Sequence, residues 1–149
     1  YIFSPEYRLL KDRNSLILSP IHLENKEEKY FITENQIEVK VPLNLSFCKA
    51  ADISFDSNKT IFVDADKLQY PLILRHWNKG DSFQPFGMNG KSKKVSKLFK
   101  DEKLSLVEKE NSWLLCSNDE IVWIIGLRQD ERFKIENTTT NRLKIQLEE

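Results

Sequence analysis

Two patterns of apolar and polar positions divide the chain into a strand-rich first half and a mixed second half. In the first half, apolar residues alternate with polar ones, most regularly over residues 36–41, which is typical of strands with one face in water. Residues 64–69 have the composition of a helical turn or linker, so we place a boundary between residues 64 and 65. The predicted strands of this half are 15–19, 30–33, 37–41, 43–47 and 60–63.

The second half combines strands with short helices. From Lys93 the apolar residues follow a helical period that places Val95, Leu98 and Phe99 on one face, and Ser92 is positioned to cap this helix. A second helix is predicted within 105–110. The uninterrupted apolar run at 121–125 indicates a strand buried on both faces. The other strands predicted here are 72–75, 113–116, 132–136 and 142–147. Strands 113–116 and 121–125 are expected to form a hairpin with a turn at Asn118 and Asp119, and Trp113 and Trp123 are expected to be buried.

These elements predict an α+β fold made of two small β-rich subdomains, residues 1–64 and 65–149. The second subdomain is expected to be an antiparallel sheet with one or two short helices. Of the 149 residues, 40% are hydrophobic, and no apolar stretch approaches the roughly 18 to 20 residues that span a bilayer. We therefore expect no membrane association and a cytoplasmic location. Since the sequence begins without methionine, we expect a fragment of a longer protein.

The residues that commonly carry catalysis or bind metals form no recognisable motif. The sequence contains no P-loop, Rossmann glycine pattern or serine elbow, and its two histidines, His22 and His76, have no second ligand at metal spacing. Cys48 and Cys116 each lie in an apolar run, which predicts buried free thiols. We interpret the acidic pairs at 64 and 66 and at 130–131 as surface charges, and we expect no catalytic residue and no metal site.

Positive charge is concentrated in residues 71–103, although the formal net charge of the chain is zero. Eight Lys or Arg residues stand there against three acids, and such a patch suits a polyanion. The alternative is an ordinary solvated helix face, but Lys93, Lys97 and Lys100 face one way with no acid among them. This arrangement favours phosphate contacts. The basic residues are Arg75, Lys79, Lys91, Lys93, Lys94, Lys97, Lys100 and Lys103.

Three further residues are candidates for the same surface. Trp77 follows Arg75 and His76, and it either stacks on a base or belongs to the core. Arg128 and Arg132 lie beside two acids at the end of the apolar strand, where they either form internal ion pairs or extend the basic surface. Both alternatives stay open at this point. Three glycines, Gly80, Gly87 and Gly90, predict tight turns with positive φ in residues 78–90.

The ordered segments PLILRHWNKGDSFQPFGMNGKSKKVSKLFKDEK and WLLCSNDEIVWIIGLRQDERFK resemble the C-terminal domain of bacterial tRNA(Ile)-lysidine synthases. In that family an Arg-x-x-x-x-Gly-Asp-x-Phe-x-Pro-x-Gly motif leads into a basic helix, and an Ile-x-Trp-x-x-Gly-x-Arg strand follows. The resemblance is strong over residues 65–149. Residues 1–64 match only loosely, as a connecting region and small β subdomain.

The resemblance implies a parent ligase that uses ATP, with Mg²⁺, to attach lysine to the wobble cytidine of a tRNA(Ile) with a CAU anticodon. That chemistry would belong to an N-terminal catalytic domain with a Ser-Gly-Gly-x-Asp-Ser loop. This chain contains no such loop, so we expect it to be inactive alone and to hold no cofactor. Its implied role is to bind the tRNA acceptor stem.

Departures from the family pattern weaken part of this expectation. Many relatives have a basic residue where this chain has Trp77, and a Pro-x-x-x-Arg run where it has residues 104–110. The turn residue Asp81 is expected to hold backbone amides or Arg75 rather than RNA. The rival hypothesis is a protein-interaction or homodimerisation module in which the lysines only confer solubility.

Overall fold

The computed structural model describes residues 2–3, 7–12, 15–20, 28–53 and 57–148. The first three ranges form an antiparallel sheet of β1 (Ile2–Phe3), β2 (Tyr7–Asp12) and β3 (Ser15–Pro20), in that spatial order. The predicted strand at 15–19 is therefore confirmed. His22 lies outside the described residues.

A five-stranded antiparallel sheet forms the middle layer. Strands β11 (Trp113–Ser117) and β12 (Glu120–Ile124) form a hairpin that turns at Asn118, which adopts a positive φ of 52°. The two apolar runs in the sequence predict this hairpin. In spatial order the strands are β13 (Arg128–Gln129), β12 (Glu120–Ile124), β11 (Trp113–Ser117), β8 (Leu72–His76) and β4 (Lys29–Ile32).

A four-stranded antiparallel sheet forms a second layer, and the last strand of the chain lies inside it. Strand β14 (Arg142–Glu148) pairs on one side with β6 (Asn44–Lys49) and on the other with β7 (Thr60–Asp64). Ile145 therefore lies opposite both Phe47 and Ile61. Strands from both sides of residue 64 thus share this sheet, and β4 and β8 do the same in the five-stranded one. The division at 64 and 65 stays a prediction about sequence segments. The spatial order is β5 (Glu38–Val39), β6 (Asn44–Lys49), β14 (Arg142–Glu148) and β7 (Thr60–Asp64).

A helical layer covers the other face of the five-stranded sheet. Helix α1 (Val95–Asp101) buries Val95, Leu98 and Phe99, as its period predicts. The predicted Ser92 cap is wrong: the helix starts after Lys94, which makes no side-chain capping bond. Residues Lys93–Lys94 instead form a short strand, β10, paired with β9 (Ser82–Phe83), and this pairing holds the backbone extended up to the helix.

The second helix, α2 (Leu106–Glu110), is started by a capping box. The Ser105 hydroxyl accepts from the Glu108 N–H at 3.1 Å, and the Glu108 carboxylate accepts from the Ser105 N–H at 2.9 Å. These reciprocal bonds satisfy two amides that the first helical turn leaves without partners. Two short helices on antiparallel sheets confirm the α+β class.

The hairpin strands are buried on both faces because two cores meet at the five-stranded sheet. Leu115 and Trp123 belong to the core shared with the four-stranded sheet, whereas Leu114 and Ile124 pack with α1. Alternate residues of one strand point to opposite faces, so an uninterrupted apolar run is needed here. Trp123 is fully buried, as the apolar run predicts.

Three sequence expectations are wrong. Residues 132–136 do not form a strand: a 3-10 helix, Glu131–Phe133, stands there because the Asp130 carboxylate caps it by accepting from the Arg132 N–H. Cys48 is exposed because Leu45 and Phe47 occupy the core face of β6. Trp113 is only partly buried, edge-on to Tyr30 with ring centroids 5.7 Å apart.

No helix in the described ranges is long and apolar enough to cross a membrane.

We predict that Ile145→Ala lowers the free energy of unfolding by about 2 to 5 kcal/mol, the usual cost of truncating a fully buried isoleucine. Because β14 joins both sides of the four-stranded sheet, Trp fluorescence and far-UV circular dichroism should report one shared urea transition. Gln146→Ala, a half-buried neighbour on the opposite face, should change stability by less than about 1 kcal/mol. Two separate transitions would contradict the shared core.

Candidate nucleic-acid interface

The turn after β8 is fixed by an ion pair between Arg75 and Asp81. Arg75 donates from Nη1 to Asp81 Oδ2 at 2.8 Å and from Nη2 to Oδ1 at 3.1 Å. Oδ2 also accepts from the Asn78 N–H at 2.6 Å, and Gly80 supplies the positive φ of 98° that the turn requires. Asp81 thus holds both a backbone amide and Arg75, the arrangement expected for this turn. Arg75 is half-buried and acts here as a positioning residue.

Charge at Arg75 and burial of Cys116 make both side chains at this turn unreactive. The hydrogen bond that Arg75 donates to Asp81 raises the pKa of Arg75, so its guanidinium stays charged. Beneath it, burial raises the pKa of the Cys116 thiol to about 11. A thiol with such a pKa is protonated at neutral pH and therefore a poor nucleophile.

The aromatic side chains next to Arg75 are engaged within the protein. Trp77 packs edge-on against Phe99 of α1, with ring centroids 5.2 Å apart and an interplanar angle of 88°. His76 lies on Trp113 with centroids 3.9 Å apart. Of the two interpretations of Trp77, the geometry favours packing, since its ring supports the helix that carries the lysines.

Six exposed lysines surround the start and end of α1, and we call this set the lysine surface. Lys91, Lys94 and Lys100 make no salt bridge to any residue that the structure describes. Lys97 and Lys100 are neighbours on one side of α1, because residues three apart are adjacent on a helix surface, and Lys94 directly precedes the helix. The lysine surface consists of Lys79, Lys91, Lys94, Lys97, Lys100 and Lys103.

The expectation that Lys93, Lys97 and Lys100 share a face without an acid is wrong. The Asp101 carboxylate lies 2.7 Å from Lys93 Nζ and 3.9 Å from Lys97 Nζ. The hydrogen bond from Lys93, helped by the nearby lysines, lowers the pKa of Asp101. Lys93 is mostly buried and belongs beneath the lysine surface. The signal was present in the sequence, since Asp101 follows Lys97 by four residues.

A loop at residues 84–90, which we call the glycine loop, is tied to the segment that follows β12. The Phe86 N–H donates to the Gln129 carbonyl at 3.0 Å, and the Phe86 carbonyl accepts from Arg128 Nη2 at 2.8 Å. The Gly87 N–H donates to Glu131 Oε2 at 2.7 Å. These three bonds hold the loop from both backbone and side chains and set the path of the chain into Lys91.

Positive φ at two glycines shapes this loop, as the sequence predicts. Gly87 has a φ of 88° and Gly90 a φ of 82°, and Asn89 between them has a φ of 54°. Such angles are strained for most L-residues.

The Asp130 carboxylate is fully buried and accepts four hydrogen bonds. Its donors are the Gln84 N–H at 2.8 Å, the Arg132 N–H at 2.8 Å, Arg132 Nε at 3.0 Å and Arg132 Nη2 at 2.9 Å. Arg132 Nη1 in turn lies 2.8 Å from Glu120 Oε2. For Arg132 the geometry therefore favours internal ion pairing over a contribution to the basic surface.

The expectation that the acidic pairs at 64 and 66 and at 130–131 are surface charges is wrong for Asp64 and Asp130, which are buried because their carboxylates hold turns by accepting backbone hydrogen bonds. Asp64 accepts from the Asp66 N–H at 3.0 Å and from the Thr139 hydroxyl at 3.1 Å. Glu131 accepts from the Gly87 N–H and, at 2.5 Å, from Lys134. Among the described residues, no three His, Cys, Asp or Glu side chains are grouped so that they could hold a metal ion.

Most of the residues described above lie within a segment whose sequence matches a known protein family. Residues 72–146 match the family model of the TilS substrate C-terminal domain. The chain is similar to the tRNA(Ile)-lysidine synthase of Parabacteroides distasonis, with 46% identity over 142 residues, covering 92% of this chain and 32% of that protein. Against the enzyme of Bacteroides thetaiotaomicron, identity is 38% over 145 residues, covering 91% and 30%. The chain thus spans about a third of the length of the curated relatives it matches.

A solved structure shares the fold. The crystal structure of TILS C-terminal domain aligns with a TM-score of 0.65 and 23% identity, over 80% of this chain and 95% of that chain. The antiparallel sheets and short helices described above are therefore a known arrangement.

We predict that Glu131→Gln reduces the loss of stability in acid. Hydrogen bonds from Lys134 and the Gly87 N–H lower the pKa of Glu131 from its usual 4.5. The stabilisation is therefore complete above about pH 5 and is lost as the pH falls through the lower folded-state pKa. Since the carboxylate is near the surface, less than about 1 kcal/mol is at stake.

Urea unfolding at pH 6 and at pH 3 tests this prediction. The difference between the two pH values should be smaller for Glu131→Gln than for the unmodified chain. Asp52→Asn, which removes an exposed carboxylate elsewhere, serves as the control and should keep the original difference. Equal differences for all three proteins would contradict the role of Glu131.

Proposed function

The chain belongs to the TilS substrate C-terminal domain family, and from this premise we propose that it is the tRNA-binding part of a tRNA(Ile)-lysidine synthase. We propose further that it grips the acceptor stem of a tRNA(Ile) with a CAU anticodon. The observation that carries this proposal is the lysine surface, where six exposed lysines gather on and around one short helix of a chain with no net charge.

The shape of double-stranded RNA explains why lysines suit this role. In an A-form stem the base edges of the major groove are inaccessible, so proteins bind mainly phosphates, 2′-hydroxyls and overall shape. Such binding needs several cations held at fixed spacing rather than groups that read bases. The lysines at 94, 97 and 100 meet this need because they stand on a helix anchored by Leu98 and Phe99.

The arginines have a different role in this proposal. Arg75 and Arg132 are held in internal ion pairs, and Arg128 donates to the Phe86 carbonyl. We assign them to positioning the turn and the glycine loop, which flank the lysines. Direct phosphate contacts are assigned to the lysine surface.

In the whole protein we propose that a separate N-terminal domain carries the chemistry, using ATP and Mg²⁺ to attach lysine to the wobble cytidine in the cytoplasm. A domain that holds the tRNA far from the reacting base raises the effective concentration of that base at the catalytic site. The isolated chain is therefore expected to bind more weakly than the whole enzyme and to be inactive alone.

A protein-interaction or dimerisation module is the second candidate, and one observation favours it. Among the residues of the β-rich half whose exposure the structure describes, three large apolar side chains are exposed: Phe31 at 61%, Ile37 at 73% and Val41 at 64%. Trp77, the other residue of that hypothesis, packs against Phe99 instead. Under this alternative the chain would self-associate and ignore RNA.

We predict that the triple variant Lys94→Gln, Lys97→Gln, Lys100→Gln weakens binding to a tRNA(Ile) transcript with a CAU anticodon and to its acceptor-stem minihelix equally. Each lost phosphate contact removes about 0.9 from the slope of log K against log salt concentration. The slope should therefore fall by roughly two to three. Fluorescence anisotropy at two or more salt concentrations measures both quantities.

The matched control removes the same charge elsewhere. Lys40→Gln, Lys49→Gln, Lys144→Gln changes three lysines on or beside the four-stranded sheet, and it should keep the original slope. Equal losses in both triple variants would mean that only net charge matters. Concentration-dependent self-association without RNA binding would support the interaction module instead.

We predict that Asp101→Asn tightens RNA binding several-fold. The Asp101 carboxylate repels phosphate and competes with it for the exposed Lys97, and its removal frees that ammonium group. The salt dependence should become steeper. Glu110→Gln removes one negative charge from α2 and is the control. Unchanged or weaker binding by Asp101→Asn would place Asp101 outside the interface.

A further inference from the structure

A cleft of about 350 Å³ opens beside the C-terminal end of α1. Its lining includes the apolar side chains of Leu127 and Phe86 and the fully buried Trp123, with Asn58, Glu102 and Arg128 among the polar residues. We call it the indole cleft. A volume of this size falls within the range of small-ligand sites.

Three polar groups of the cleft have unused hydrogen-bonding capacity within the described part of the chain. Arg128 uses one N–H on the Phe86 carbonyl, and its remaining guanidinium N–H groups have no partner there. The Glu102 carboxylate forms no salt bridge with a described residue. The Trp123 Nε1–H is buried and has no hydrogen-bond partner, which is uncommon because buried donors are nearly always paired.

This combination matches the chemistry of a nucleotide better than that of an apolar molecule. A guanidinium suits a phosphate or a base carbonyl, and aromatic and apolar walls suit the flat face of a base. A carboxylate can accept from an exocyclic amino group, as Glu and Asp do from cytosine N4. Uracil has no such amino group, so Glu102 should discriminate against it.

The cleft also lies next to the lysine surface. Glu102 is the residue that directly follows α1, and Lys103, a member of the lysine surface, comes next. An RNA whose backbone runs along α1 can therefore deliver an unpaired nucleotide to the cleft.

We propose that the indole cleft receives one unstacked nucleotide of the bound RNA, with a preference for bases that carry an exocyclic amino group. This inference rests on the proposed function for the RNA itself. The chemistry recognised is a nucleoside monophosphate unit, which a free nucleotide also provides.

The first test uses free nucleotides and the ¹⁵N-labelled chain. Addition of AMP or CMP should shift the Trp123 indole N–H resonance, with UMP needing at least about tenfold higher concentration for the same shift. Asn58→Phe places a bulky ring in the cleft and should abolish the shift. Asn137→Phe, at an exposed turn outside the cleft, is the matched control. No shift with any nucleotide, or a shift retained in Asn58→Phe, overturns the proposal.

A third variant tests the base preference separately. Glu102→Ala should weaken AMP binding until it lies within about twofold of UMP binding, since the carboxylate no longer accepts a hydrogen bond from the amino group. An unchanged preference would overturn the role assigned to Glu102.

The second test uses RNA and separates this inference from the proposed function. A short RNA duplex with one unpaired 3′ adenosine should bind about tenfold more tightly than its blunt counterpart, and Asn58→Phe should remove only that advantage. If blunt and overhanging duplexes bind equally, the cleft proposal is wrong while the lysine surface stands. If neither duplex binds, the proposed function fails, and nucleotide shifts would then mark a site for free nucleotides rather than RNA.

Discussion

The buried carboxylate of Asp130 is the contact on which the glycine loop and one wall of the indole cleft depend. A charge removed from water is tolerated only when its oxygens are fully hydrogen-bonded, and here four N–H groups meet that demand. Those donors come from Gln84 and Arg132, so one side chain joins the start of the glycine loop to the 3-10 helix after β13. The position of Phe86 and Arg128, and with it one wall of the indole cleft, follows from this attachment.

The lysine surface shows how a neutral chain can present a strongly basic region. Its helix is held from below by Phe99 and Trp77, so the lysines need no salt bridges of their own to stay in place. Asp101 is the exception, since it neutralises part of the charge nearest the helix. The pairing of Asp101 with Lys93 and Lys97 limits repulsion between the lysines in the free protein. It leaves Lys91, Lys94 and Lys100 available to an anion.

Local sequence patterns were sufficient where structure depends on local contacts. The buried face of α1, the β11–β12 hairpin and the positive φ of Gly80, Gly87 and Gly90 were all predicted from neighbouring residues. The sequence pattern could not predict which distant strands pair with each other. Lys93 is extended because it pairs with Phe83. Strand β14 lies between β6 and β7, and its alternation of apolar and polar residues does not indicate either partner. The three groups of the cleft with unused hydrogen-bonding capacity come from two separate parts of the chain, Glu102 after α1 and Trp123 and Arg128 in β12 and β13, so no local motif predicts them.

The central place of β14 in the four-stranded sheet has a consequence for how the protein is made. Strands β6 and β7 leave the ribosome long before β14 is synthesised, yet both need it as their partner. Until then each keeps an edge with unpaired N–H and C=O groups, the kind of edge that promotes association with other chains. Folding of this layer therefore has to wait until β14 has been synthesised.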